Sequence, residues 1–134
     1  SDSLVILMDQ LEIEKCHLVG HSMGGMVAQQ AIAASSDRFK SLILSATSPA
    51  FGKPDGDFQK EFISARLKPL DDGLSMAHLA GEKDKNAPAP MMEKMGTKIS
   101  NSEYVCIPGA GHLANMERPE QFNNIIYNFI ANIS

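Results

Sequence analysis

Gly20-His21-Ser22-Met23-Gly24 is the stretch of this sequence best suited to covalent chemistry. The pattern G-x-S-x-G fits a turn in which a strand breaks sharply into a helix and presents a serine oxygen at its apex. A chance match somewhere in the chain has a probability on the order of 5%, so its placement between a strand and a helix gives it weight. Glycine is expected on both flanks because the bend brings two backbones together, and Gly25 and Ala28 supply further small residues where the helix must approach the sheet. A serine hydroxyl is a weak nucleophile near neutral pH. It needs a base within hydrogen-bond reach and a third group that holds the base in the right tautomer.

His112 is the candidate base, because it follows an apolar run on the glycine-rich segment Pro108-Gly109-Ala110-Gly111. His17 sits inside a strand pattern and His78 lacks flanking glycines, so both read as structural. His21 adjoins the nucleophile, and its side chain is expected to point away from the reacting atom. Asp84, in Gly81-Glu82-Lys83-Asp84, is the candidate acid, with Glu82, Asp71 and Asp72 as fallbacks.

The elements that must position these groups alternate between strand and helix. Leu4, Leu7, Met8 and Leu11 predict a short helix over 3–11 with Ser3 as its N-cap. A buried strand over 15–19, a helix over 23–34 and a second strand over 39–46 follow. Residues 48–56 read as loop and 58–67 as a weaker helix. Residues 74–80 are ambiguous. Pro88 and Pro90 suit the first turn of a helix running to about Ile99, and Tyr104 to Ile107 is a third strand. Phe122, Ile125, Ile126, Phe129, Ile130 and Ile133 recur at helical spacing, with Pro119 at the start. The alternation predicts an α/β fold, a parallel sheet flanked by helices with right-handed crossovers.

Composition narrows the function classes. The 134 residues are 43% hydrophobic and 21% charged, enough to bury a core of roughly 68% of the unfolded surface. The net charge of −4 is mild and no basic stripe appears, which argues against nucleic acid as a partner. Cys16 and Cys106 lie in apolar runs and read as core packing, not as a disulfide framework or metal cluster. No run approaches the roughly 18 apolar residues of a membrane span and no signal pattern opens the chain, so a cytoplasmic protein without membrane contact is expected.

Three segments together resemble the α/β-hydrolase superfamily: Gly20 to Met26 (Gly-His-Ser-Met-Gly-Gly-Met), Gly81 to Pro88 (Gly-Glu-Lys-Asp-Lys-Asn-Ala-Pro) and Gly109 to Pro119. The likeness is greatest to 3-oxoadipate enol-lactonases, meta-cleavage-product hydrolases and cofactor-free haloperoxidase-like esterases, and it spans nearly the whole chain except roughly 68–80. The chain order Ser22, Asp84, His112 is the order of that superfamily. The resemblance implies Ser22 as nucleophile, Asp84 as acid, His112 as base and the backbone N–H of Met23 as one oxyanion donor. It gives Glu117 and Pro119 structural roles. It implies a small-molecule ester or lactone substrate, or a related carbon–carbon bond substrate, with no metal and no cofactor.

Two departures stand out. The serine elbow arrives at residue 22, where family members first run through several strands and a second oxyanion loop. Only 61 residues separate Ser22 from Asp84, and 74–80 is poor in Val and Ile. These features predict a single partial domain over 1–134, with a lid and most of one strand missing and a junction near 80–81. An uncovered strand edge would then favour self-association. Two other readings stand beside the hydrolase: a ligand-binding protein on the same fold, and a non-catalytic fragment.

Overall fold

A computed structural model of the chain describes residues 2–48, 57, 64, 73–99 and 101–133. The helix expected over 58–67, nearly all of the 48–56 loop, and Asp71 and Asp72 lie outside the described residues. Helix α1 (Asp2–Gln10) leads into strand β1 (Cys16–His21), helix α2 (Met23–Ala34), a 3₁₀ turn (Ser36–Arg38) and strand β2 (Phe39–Ser45). After the 46–74 connection come β3 (Ser75–Gly81), α3 (Ala89–Thr97), β4 (Ser102–Ile107), α4 (Ala114–Glu117) and α5 (Pro119–Ala131). No helix among the described residues is long and apolar enough to cross a membrane.

The four strands form one parallel sheet in the order β1-β2-β3-β4. Successive side chains on a strand face opposite sides, and the two sides bury different partners. Leu42 and Leu44 of β2 and Met76 and Ala80 of β3 pack with Met8 of α1, Ala28, Ala31 and Ile32 of α2, and Met92 of α3. On the other side Ile43, Ala77, Leu79 and Ile107 pack with Phe122 and Phe129 of α5, flanked by Ile125, Ile126, Ile130 and Ile133. The α5 stripe is the one its periodicity predicts. Cys16 and Cys106 are free and half-buried in β1 and β4.

Local chemistry explains where elements end. Helix α1 begins at Asp2, so Ser3 falls inside the first turn and not at the cap. The left-handed backbone of Glu12 (φ 55°) stops it. Arg38 then pins the α1–β1 connection, donating to the Glu14 and Ile13 carbonyls at 2.9 and 3.0 Å and to Asp9 Oδ1 at 2.7 Å.

Strand β3 corrects one expectation. Residues 75–81 form a full strand, in register with β2 and β4 and continuous across Ala80↔Cys106 and Gly81↔Ile107, so the strand before the acid is not missing. Its small residues follow from its neighbours. A Cβ on Gly81 would meet the Gly111 carbonyl oxygen at 2.2 Å. Ala77 and Ala80 are fully buried beneath helices on both sides of the sheet. Strand preference is set by such packing more than by intrinsic propensity.

Candidate active site

Ser22 is the hinge between β1 and α2. Its backbone (φ 51°, ψ −121°) is one that side-chain-bearing residues rarely adopt, a strain of about 1–3 kcal/mol that persists only where neighbours enforce it. Those neighbours lie on and just beyond β2. The Ser22 N–H donates to the Ser45 carbonyl at 2.8 Å, and the Thr47 hydroxyl donates to the Ser22 carbonyl at 2.6 Å. Gln29 donates to the Gly25 and Ser48 carbonyls, tying α2 to the same segment. A Cβ on Gly20 would lie 2.6 Å from Gly25 Cα, and one on Gly25 would lie 2.6 Å from Thr47 Cβ. Gly24, the second motif glycine, has open space among the described residues. The close approach therefore falls at Gly20 and Gly25.

A serine at a helix start ordinarily caps the helix through its hydroxyl. Ser22 makes no such bond. Its Oγ lies 3.0 Å from His112 Nε2. His112 Nδ1 is 2.8 Å from Asp84 Oδ2, and the other carboxylate oxygen accepts the N–H groups of Asn86 (2.8 Å) and Ala87 (3.0 Å). Burial works to raise the Asp84 pKa. The hydrogen bonds from Ala87, the His112 side chain and Asn86, with the charge of His112, outweigh it and hold the carboxyl below its ordinary value. An ionised Asp84 only accepts, so the Nδ1 proton belongs to His112, and Nε2 presents a lone pair to the serine O–H. The structure thus brings Ser22, His112 and Asp84 together from three segments of the chain.

The loops carrying Asp84 and His112 are fastened to each other. Lys83 N–H donates to the Ala110 carbonyl at 2.8 Å and Glu82 N–H to the Ile107 carbonyl at 3.1 Å. Glu82, a fallback acid in the sequence, instead accepts the Gly109 N–H at 2.7 Å, at the left-handed glycine (φ 69°) that turns the chain out of β4. Glu117 accepts the Gly111 N–H at 2.9 Å. Met23 opens α2, where a helix N–H has no intrahelical acceptor.

The remaining histidines divide. His17 Nδ1 pairs with Ser41 Oγ at 2.8 Å, and fully buried His78 pairs through Nδ1 with Ser102 Oγ at 2.8 Å, in line with structural roles. His21 does not turn away from the site. Its Nδ1 pairs with Ser45 Oγ at 3.1 Å, and its ring centroid stands 5.2 Å from that of His112. Thr47, Gln29 and Ser45 were not singled out in the sequence. For Ser45 and Thr47 the only signal is position, at and just after the end of the strand next to the elbow, and Gln29, on α2, carries none.

Residues 1–72 match the family described as the alpha/beta hydrolase fold, more than half of the chain. The chain belongs to this family. Among curated relatives of this hydrolase-fold chain, the dihydrolipoyllysine-residue acetyltransferase component of the acetoin cleaving system of Pseudomonas putida is 25% identical over 186 residues, covering 97% of this chain and 49% of the relative. The pimeloyl-[acyl-carrier protein] methyl ester esterase of Aeromonas salmonicida (strain A449) is 46% identical over 52 residues, covering 37% of this chain and 20% of that protein. The chain therefore spans about half the length of the first relative and matches a fifth of the second. Among solved structures, the enol-lactonase of Burkholderia xenovorans LB400 superposes with a TM-score of 0.77 at 18% identity, covering 96% of this chain and 70% of the enzyme. That likeness is one of fold.

Proposed function

We propose that this alpha/beta hydrolase carries the nucleophile, base and acid of a serine hydrolase acting on a carboxylic ester or lactone. The observation that supports this most is the unbroken relay from Ser22 Oγ through the His112 imidazole to Asp84, at 3.0 and 2.8 Å. In the proposed reaction His112 Nε2 takes the Ser22 proton as Oγ attacks the carbonyl carbon. The resulting oxyanion is met by the Met23 N–H. Collapse breaks the bond to the leaving oxygen, which takes the proton from Nε2, and leaves an acyl-serine. Water, giving its proton to the same nitrogen, attacks the acyl carbon and releases the acid while the proton returns to Oγ. Asp84 keeps the imidazole in the required tautomer and offsets its transient charge. A small-molecule substrate fits this reading, and none of its steps calls on a metal or cofactor. Two of the similar proteins, a methyl ester esterase and an enol-lactonase, are named for ester and lactone chemistry.

The reading extends to the domain as a partial one. The alignment with the Pseudomonas putida relative runs over 186 positions against a chain of 134 residues, so the relative holds residues within the match that have no counterpart here. A junction near 80–81 would have to preserve the register of β3 with β4.

Reaction with a fluorophosphonate probe tests the proposal. Labelling of Ser22, lost in Ser22→Ala, with turnover of short p-nitrophenyl esters, is the expected result. Labelling without turnover would point to a binding protein, and no labelling to a fragment without catalysis.

A further inference from the structure

We propose that His21 is a positioning residue for His112: its ring, tethered to Ser45, forms the wall that holds the His112 imidazole in line between Asp84 and Ser22. The inference rests on the reading of those three residues as a working triad.

The argument begins with what His112 lacks. Its two ring nitrogens are held end to end, by Asp84 at 2.8 Å and Ser22 at 3.0 Å. Two bonds at opposite ends leave the ring free to tilt about the line that joins them. A group against the face of the imidazole removes that freedom. The His21 ring is such a group, at a centroid separation of 5.2 Å and an interplanar angle of 54°, within the contact range of ring pairs.

His21 is itself fixed. As the last residue of β1 it lies opposite Ser45 of β2, so the two side chains share a face of the sheet. Ser45 Oγ holds Nδ1 at 3.1 Å while the Ser45 carbonyl holds the Ser22 N–H at 2.8 Å. One residue of β2 thereby fixes both the nucleophile's backbone and the wall beside its base. The far nitrogen of His21, Nε2, is buried with no hydrogen-bond partner among the described residues. What the residue supplies is the packing of its tilted ring beside that of His112. The titratable groups acting on it are His112 and Asp84. Burial first, then the charge of His112, keep His21 below its ordinary pKa against the pull of Asp84. A neutral wall spares His112 a second positive charge as it accepts the serine proton.

The test compares the rate of fluorophosphonate labelling of Ser22, as a function of pH, in the unaltered chain, His21→Ala, His21→Phe and Ser45→Ala. The low-field N–H resonance of the His112–Asp84 hydrogen bond is followed in each. His21→Ala is expected to slow labelling by about 10- to 100-fold, the scale of loss for a small misplacement of a catalytic group. It should also broaden the low-field resonance. His21→Phe, which restores the wall, should recover most of the rate. Ser45→Ala, which keeps the backbone carbonyl but cuts the tether, should fall between. Wild-type rate and profile in folded His21→Ala, or in Ser45→Ala should the former not fold, would overturn the inference while leaving the hydrolase reading intact. So would a folded Phe variant as slow as the Ala variant. An unaltered chain that does not label overturns the hydrolase reading and this inference with it.

Discussion

The two margins of the sheet are built to different standards. At the β4 margin the edge strand is only partly buried, as β1 is, but the loops beyond β3 and β4 are laced together by Glu82, Lys83 and Glu117. At the other margin β1 pairs only with β2 among the described strands. Val19 there is 44% exposed, and Ile6 and Leu7 of α1, Leu11 just after it, and Met23 and Val27 of α2 are exposed as well. The proposed triad straddles the difference: His112 and Asp84 come from the laced margin, Ser22 from the open one. The chemistry therefore depends most on how Ser22 is held, and the hydrogen bonds that hold it run inward to β2 and to Thr47 just beyond it.

The largest expected effect comes from breaking the proposed relay at the laced margin. Asp84→Asn should preserve the fold but favour the wrong imidazole tautomer, lowering the labelling rate of Ser22 by about 10⁴-fold. An unchanged rate would remove Asp84 from the relay.

Next comes acid stability. Burial holds His78 at about 4 in the folded chain, against an ordinary 6.5, so the unfolded chain takes up this proton first. Its contribution is complete above the ordinary value and is lost as pH falls toward the folded one, by up to about 3 kcal/mol. Asp84, depressed in the fold, adds a loss of the same sign at lower pH. Urea midpoints near pH 7 and pH 4.5 should differ far less in His78→Leu than in the unaltered chain.

Smaller effects separate the glycines. Gly81→Ala drives a methyl into the Gly111 carbonyl and should cost about 1–3 kcal/mol or more. Gly24→Ala, in open space on a helix, should be neutral or stabilise by up to about 1 kcal/mol. Thermal midpoints would show the contrast, and equal shifts would contradict the packing described. The smallest effect on stability is expected at the open margin. Val19→Lys should change it by no more than about 0.5 kcal/mol, while shifting sedimentation toward monomer if the chain self-associates along β1. A species unchanged by the substitution would place any association elsewhere.

Much of this was legible in the sequence, and the exceptions share a cause. Helix α2 begins and ends where its pattern says, and α5 buries the stripe its apolar spacing predicts, because both depend on neighbours three or four residues away. Strand β3 escaped the pattern because Ala77, Ala80 and Gly81 are small for the sake of α3, α5 and the Gly111 carbonyl, none of which a local window contains. Glu82 looked like a spare acid and is a tether for Gly109. His21 was expected to face away, and the ring it meets belongs to residue 112. In each case the deciding partner lies outside any local window, where spacing carries no information.

The moorings of Ser22 have a consequence for how such a molecule can change. Since Ser45 and Thr47 anchor the elbow from the interior, whatever lies against the outer flank of β1 can be exchanged without re-registering the reactive hydroxyl.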